Sequence, residues 1–420
     1  MRSMVRIAGR GKRGARREST GVQRSEADAA ALNSRVALIQ ALIPLGLEAV
    51  RDVLEQEVTA LAGAHYARVG GQAGHARWGR QAGSVYLADQ KVSIQVPRVR
   101  DRLRDQEVPL ASYQALREPG RAEEAALRKI LKGLSCRDYE SCAEPVAETF
   151  GLKASSLSRR FKRASARKLQ ELRERDLSNY DIVALFLDGK TFGEDQMVIA
   201  LGVTLEGNKV ILGFVQTATE NEAVCSAFLR ELMDRGLKID QGLLCVIDGA
   251  KGLRKAVDKV FARKAVVQRC TWHKRENVVR YLATSVQATF RRKLQAAYEK
   301  PTYAQAKASL MKVRAELSPI NESAVASLEE GLEDTLTLHR LGLFKELGES
   351  FKTTNCLENL NSLVGQRTDK VDHWKNAEQK HRWLATTLLD IEPRLRKVRG
   401  HRQLFRLRAA LQQRGLEAVA

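Results

Sequence analysis

Two short apolar runs each end in an aspartate followed by glycine: Ile182 to Leu187 before Asp188-Gly189, and Leu243 to Ile247 before Asp248-Gly249. Carboxylates are hard oxygen donors, suited to Mg²⁺ or Mn²⁺ rather than zinc. With a third acid they can hold two ions about 3.5–4 Å apart, one activating an attacking hydroxyl and the other stabilising the leaving oxygen of an in-line displacement at phosphorus. Glu358 is a candidate third acid. It sits in Thr353-Thr354-Asn355-Cys356-Leu357-Glu358, where Thr354 or Asn355 can cap a helix that buries Leu357, Leu360 and Val364. Glu276, Glu330, Glu333 and Glu349 lie nearby in sequence, and spacing alone does not choose among the five.

Positioning two aspartates that are 248 − 188 = 60 residues apart requires a sheet. Continuous apolar runs bounded by glycine and charged residues suit strands covered on both faces, and a buried strand places an ionised side chain at its carboxyl end. Met197 to Val203 and Lys209 to Val215, joined by Glu206-Gly207-Asn208, read as a hairpin. Thr219 to Gly236 reads as a helix, Leu253 to Phe261 as another, and Ala265 to Gln268 as a further strand. The order is three strands, helix, strand, helix, strand. If the first three are antiparallel and the later ones parallel, this is the ribonuclease-H-like α/β arrangement. Its first and fourth strands adjoin, about 4.8 Å apart, so the two aspartates converge. Residues 275–350 read as an all-α insertion whose basic positions, such as Arg291, Arg292 and Lys293, either line a groove or form a solvated face.

The chain's 420 residues carry 71 Lys plus Arg against 50 Asp plus Glu, a formal net charge of +21. That imbalance calls for a polyanionic partner, nucleic acid before membrane. The longest apolar stretch, Val36 to Leu47, is too short to span a bilayer and contains Gln40 and Pro44. No secretory signal is expected at the basic N-terminus, and the six scattered cysteines read as reduced thiols in a cytoplasm.

Residues 1–24 form a basic arm, expected to be disordered. Residues 25–132 read as a mainly helical N-terminal region with a linker over 63–83 and a small hairpin over Ser84 to Val96. Within 133–178 a helix from Tyr139 to Phe150, a turn at Gly151 and a second helix from Ser155 to Lys168 have helix-turn-helix spacing. That second helix buries Leu157 and Phe161 and turns Ser158, Arg159, Arg160, Lys162, Arg163 and Arg167 outward. The same spacing also suits an ordinary helical hairpin. The catalytic core then occupies 179–274 and 351–392, and a basic helical tail 393–420 either contacts phosphates or is solvated.

Three pieces, Leu187-Asp188-Gly189, Val246-Ile247-Asp248-Gly249 with Cys270-Thr271-Trp272-His273, and Thr353-Thr354-Asn355-Cys356-Leu357-Glu358-Asn359-Leu360-Asn361, resemble the Mutator-type transposases of bacterial insertion sequences. The resemblance covers roughly Asp181 to Leu389. It implies a DDE catalytic domain with a helical insertion, with Asp188, Asp248 and Glu358 as catalytic residues and as ligands of Mg²⁺ or Mn²⁺. It further implies binding to the element's terminal inverted repeats, cleavage there and joining to target DNA, by a homo-oligomer assembled on DNA in the nucleoid. Cys270, Trp272, His273 and Asn355 are assigned structural or DNA-positioning roles; a zinc site is not favoured, because no second ligand pair is present. Two other readings compete. A catalytically inactive transposase-derived DNA-binding protein would be expected to have lost an acid. A ribonuclease-H-like nuclease that only hydrolyses would make no joined DNA.

Overall fold

The computed structural model describes residues 46–66, 74–87, 90–118, 127–128, 130–132, 149–150, 154–217, 221–369, 371 and 373–417. The chain divides into two compact units: Met1–Ala122 with Ala143–Gly151, and Glu123–Cys142 with Leu152–Ala420.

In the first unit residues 46–62 are helical (α1), with Gly46 inside the helix; Pro44, the other residue of the expected break, lies outside the described residues. The strands are β1 (His75–Leu87), β2 (Gln90–Asp101), β3 (Gln106–Val108) and β4 (Thr149–Phe150), with α2 (Ala111–Arg117) between the last two. Val50, Leu54 and Val58 of α1 bury against Val85, Ile94, Val96 and Val99 of the sheet. Three expectations need correction. The described part of this region is a sheet with a covering helix rather than mainly helical. The hairpin is also longer than expected: β1 starts inside the supposed linker, because the pairing with β2 continues to His75 opposite Asp101 through an irregularity at Arg77/Arg80. Its Gly, Ala and Arg residues show no alternation, and the apolar pattern that holds this stretch belongs to β2. Finally, Thr149–Phe150 pair with Val92 and Lys91 as strand, so no helix ends at Phe150. The basic arm and the rest of the expected first helix, from Tyr139, lie outside the described residues.

The second unit is built on a five-stranded mixed sheet of order β7-β6-β5-β8-β9. Its strands are β5 (Ile182–Phe192), β6 (Asp195–Thr204), β7 (Lys209–Thr217), β8 (Leu243–Ile247) and β9 (Ala265–Arg269). The first three are antiparallel, and β8 pairs parallel with both β5 and β9. The expected pairing of first and fourth strands is therefore present. Successive residues feed opposite cores, as a period of two requires. Leu185 and Leu187 of β5, with Leu243, Cys245 and Ile247 of β8, face the core shared with α4 (Glu222–Asp234) and α5 (Lys251–Phe261). Ala184, Phe186, Leu244 and Val246 face the other core. There they meet α13 (Asn355–Thr368), α14 (Ala377–Ile391), α15 (Leu404–Glu417) and the long α3 (Ala154–Arg173).

Between these halves run α6 (Thr271–Val279), α7 (Thr284–Tyr298), α8 (Tyr303–Leu317), α9 (Glu322–Glu329), two single-turn helices (Leu332–Thr335 and Thr337–Arg340, α10 and α11) and α12 (Phe344–Phe351). The expected helical insertion has its own core, including Val278, Leu294, Tyr298, Leu310, Leu328 and Leu336. It is pinned to β9 by Thr337 Oγ1 donating to the Val267 carbonyl (2.6 Å) and by Gln268 Nε2 donating to that of Thr335 (2.9 Å). Arg291 and Lys293 pair with Glu276 and Glu316. The basic tail is structural in part: Leu404 and Leu407 are fully buried, and Arg408 donates to the carbonyls of Gly242 (2.8 Å) and Ile182 (3.0 Å) and to the Asp181 carboxylate.

Candidate active site

The parallel register sets Leu187 opposite Ile247. Asp188 and Asp248 are the next residues after that pair, from strands spaced about 4.8 Å apart, and Asp188 shares its strand face with Phe186, which lies in the core that includes α13. Asp248 follows the end of β8, as expected, and its Oδ1 accepts the Ala250 N–H at 2.9 Å in a tight Asx turn. Asp188 differs from expectation. It ends only the parallel part of its strand, because β5 continues to Phe192 in antiparallel pairing with β6; Asp188 lies opposite Ile199 and is 6% exposed.

Glu358 lies in the first turn of α13, which packs on β5 through Leu357, Leu360 and Val364. Asn361, one turn further along that helix, accepts Lys190 Nζ at its backbone carbonyl. Lys190 follows Asp188 by two residues and shares its face of the strand, so the helix edge bearing Glu358 and Asn361 runs along the carboxyl edge of β5. Burial holds the Lys190 ammonium below its ordinary pKa, with Asp369 opposing.

The helix start is built differently from a simple cap. Thr354 occupies the N-cap position without capping. Its fully buried hydroxyl instead lies 3.7 Å from Cys270 Sγ, 3.4 Å from His273 Nδ1 and 3.4 Å from Glu358 Oε1. One hydroxyl proton serves one of these acceptors at a time, so Thr354 couples the Cys-x-x-His segment to the glutamate. The Cys270 N–H donates to the Ile247 carbonyl (2.7 Å) and the Thr271 N–H to that of Lys352 (2.9 Å), fixing the end of β8, the start of α6 and the approach to α13 together.

The structure separates the five candidate glutamates. Glu276, Glu330, Glu333 and Glu349 are all engaged by cations. Glu358 has only the Thr354 hydroxyl, and no cation pairs with it or with Asp248 among the described residues. The Asn361 side-chain oxygen is buried without a hydrogen-bond partner. Two carboxylates without a cation partner and an orphaned amide oxygen are each hard donors of the type Mg²⁺ takes. Among the described residues, however, no three His, Cys, Asp or Glu side chains close into a metal-holding group.

The family model described as Transposase, Mutator family matches residues 18–396. The chain belongs to the Mutator transposase family. Its relatives include the transposase for insertion sequence element IS905 of Lactococcus lactis subsp. lactis (strain IL1403), 27% identical over 81% of this chain and 86% of that protein. The transposase for IS1201 of Lactobacillus helveticus is 25% identical over 76% and 86%, and that for IS256 in transposon Tn4001 of Staphylococcus aureus 27% over 46% and 48%.

In this Mutator-family chain Cys270 is fully buried, and burial raises its thiol pKa. Trp272 is 42% exposed beside the His273 ring, and Asn355 is exposed at the start of α13. Of the residues expected to face outward from the basic helix, Arg159, Lys162, Arg163 and Arg167 are exposed and Ser158 is half-buried. Arg160 is not outward: at 9% exposed it shares the inner face with Ala164, four residues on. That helix packs against α14, with the Phe161 and Trp383 rings 4.9 Å apart, and belongs to the same unit as the sheet.

Lys274 gave no signal in the sequence. It is fully buried and donates to the Glu330 carbonyl. Burial, reinforced by the Arg269 charge and opposed by Glu330, pushes its pKa from 10.5 down to about 7. Between those values the unfolded chain keeps a proton that the folded chain has released, so this group makes stability rise with pH across the window. Denaturant midpoints followed from pH 7 to 9 should rise for the native chain relative to Lys274→Met; parallel curves would disprove the shift.

Proposed function

We propose that this chain is a DDE transposase that binds the terminal inverted repeats of its insertion sequence and carries out metal-dependent DNA cleavage and strand transfer. The observation that supports this reading is that Asp188 and Asp248 each follow the last parallel pair of adjacent strands, Leu187 with Ile247, while the helix bearing the cation-free Glu358 packs on the first of those strands. The strand order, three antiparallel then two parallel with first and fourth adjacent, supports a ribonuclease-H-like core.

In this reading Asp188, Asp248 and Glu358 would hold Mg²⁺ or Mn²⁺, whose chemistry there would be activation of a water or 3′-hydroxyl and stabilisation of the leaving oxygen. The chain's own contribution is rigidity. Asp188 is held by antiparallel pairing with β6 just past the last parallel pair, Asp248 by its turn, and Glu358 by Thr354 and the Cys270–His273 segment. Trp272, exposed beside His273, and the cations Arg159, Lys162, Arg163 and Arg167 are positioned to contact DNA, and the net charge of +21 favours such binding at low salt. No helix among the described residues is long and apolar enough to cross a membrane. The working form is a homo-oligomer that holds two ends and a target in the nucleoid.

The full chain incubated with Mg²⁺ and DNA carrying the element's ends should give joined products, lost with EDTA and restored by Mn²⁺. Nicks without joined DNA would point to a hydrolase, and binding without cleavage to an inactive derivative.

A further inference from the structure

Asp248 stands on a turn that is wedged from one side. Arg269, the last residue of β9, pairs with Ile247 in the parallel register, and its side chain, 9% exposed, lies against Gly249, the residue after Asp248. A Cβ on Gly249 would lie 2.6 Å from the guanidinium carbon and 2.7 Å from Nη2, and the backbone there has a φ of +106°, so both the space and the conformation require glycine. Gly331 (φ +62°) comes as close from the helical insertion: a Cβ there would lie 2.8 Å from Nη1. The guanidinium is therefore held between two glycines, one next to Asp248 and one next to the end of α9.

The anchor on the insertion side is Glu330, which closes α9. Its backbone carbonyl accepts Arg269 Nη1 at 2.9 Å, and the same carbonyl accepts Nζ of the buried Lys274 in α6. Its carboxylate lies 3.4 Å from Arg269 Nη2. Two further contacts tie the first turn of α5, directly after Asp248-Gly249-Ala250, to the same stretch. Arg254 Nε donates to the Asp334 carboxylate at 2.8 Å, and Lys251 Nζ lies 3.5 Å from that of Glu330. Arg269 Nε, by contrast, is buried with no hydrogen-bond partner among the described residues. A buried donor left unpaired costs free energy, and an apolar side chain at this position would avoid that cost. The unpaired nitrogen belongs to the group that meets the backbone beside Asp248, so close packing is kept there at the expense of a hydrogen bond.

We propose that Arg269 is a positioning residue for Asp248: anchored on the Glu330 carbonyl of the helical insertion, its guanidinium wedges the turn Asp248-Gly249-Ala250 and fixes where the Asp248 carboxylate points. The proposal rests on the reading of Asp248 as a metal ligand, and it gives the insertion a task in that reading, since one rigid planar side chain sets the distance between the turn and the end of α9. Asp248 Oδ1 accepts the Ala250 N–H across the turn, so a turn that opens frees the carboxylate from its orientation.

Three variants of the full chain test it. Arg269→Met keeps the stem and removes the wedge. Gly331→Ala keeps Arg269 but drives a methyl group towards Nη1. Gly342→Ala is the control, because Gly342 has similar left-handed backbone (φ +67°) in the same insertion and nothing within 4 Å of an added Cβ. The first two should let the Ala250 amide exchange with solvent about tenfold faster, read by mass spectrometry of overlapping peptic fragments. They should also weaken Mn²⁺ binding about 10–100-fold, the usual cost of losing a partner behind a metal ligand. Affinity for end-bearing DNA should stay at the native value, while cleavage falls with Mn²⁺ binding and returns in part at high Mn²⁺. Gly342→Ala should match the native chain in all four measurements. Unchanged Ala250 exchange in Arg269→Met overturns the proposal. So do equal losses in Gly331→Ala and Gly342→Ala, which would assign the effect to backbone strain. Should Arg269→Met not fold, the two glycine variants decide alone. A native chain that binds no Mn²⁺ and cuts no end-bearing DNA removes the transposase reading and this role together, whereas normal native cleavage with unaffected variants removes the role alone.

Discussion

Asp188→Asn should abolish DNA cleavage and joining while leaving DNA binding intact. The side chain sits at the end of the parallel pairing, 6% exposed and flanked by the β6 strand, so the isosteric amide keeps the packing. What changes is charge and donor strength. A carboxylate offers two anionic oxygens to a hard cation, whereas an amide offers one neutral oxygen and two N–H groups that repel it. Removing an outer partner of a metal ligand commonly costs about 10–100-fold, so removing the ligand itself should cost about 10³-fold or more. Binding moves in the other direction if it moves at all, since one negative charge has left a surface that meets a polyanion. Cleavage rates and gel-shift affinities measured on the same preparation separate the two effects. Cleavage retained within tenfold would remove Asp188 from the reaction, and lost binding with a lowered melting temperature would mean that the change had disturbed the fold. Asp248→Asn should behave alike, because the amide oxygen can still accept the Ala250 N–H that shapes the turn.

The sheet was legible because its strands are buried on both faces, and burial writes continuous apolar runs that periodicity can find. Strand order followed from the alternation of runs and helices, and with it the approach of Asp188 to Asp248. The N-terminal unit was harder. Half of the β1–β2 hairpin carries no apolar alternation of its own, since Arg77, Gln81 and Ala82 are held by partners on β2 and α1, such as the Arg77 pairing with Glu55. Arg160 was misplaced for a different reason. A basic helix was assumed to turn every arginine outward, but α3 buries a broad face against α14, and a long side chain can lie along that face with its stem packed. Ion pairing sets Glu358 apart from the other four glutamates, and that difference leaves no mark in sequence spacing. Lys190, Asn361 and Arg269 had faint signals at most: two residues after one acid, three after another, and the last residue of a strand. None of those spacings says that a carbonyl, an orphaned oxygen or a pair of glycines waits on the other side.

The largest structural penalty should come from Phe351→Ala, a substitution well away from any charge. Phe351 ends α12, is fully buried, and stacks on Phe186 with ring centroids 5.5 Å apart and planes at 25°. Phe186 lies two residues before Asp188 on the same strand face, and Phe351 three before Thr354, so this pair joins the strand bearing one acid to the segment that starts the helix bearing another. Truncating a buried phenylalanine costs about 3–5 kcal/mol, because the surrounding packing collapses only in part around the void. Against a typical domain stability of about 5–15 kcal/mol, that leaves the fold marginal. Urea unfolding should show a lower midpoint with an unchanged slope, the sign that stability rather than compactness has changed. Ile320→Ala, at a position 50% exposed, should stay within about 0.5 kcal/mol of the native chain. Phe351→Leu should recover much of the stability by refilling the volume, yet lose the stacked ring that sets the spacing between β5 and the Thr354 hub. Cleavage in that variant should therefore fall further than its stability does. If the two losses scaled together, the ring would be filling space and no more, and positioning of Glu358 would have to rest on Thr354 and Lys190 alone.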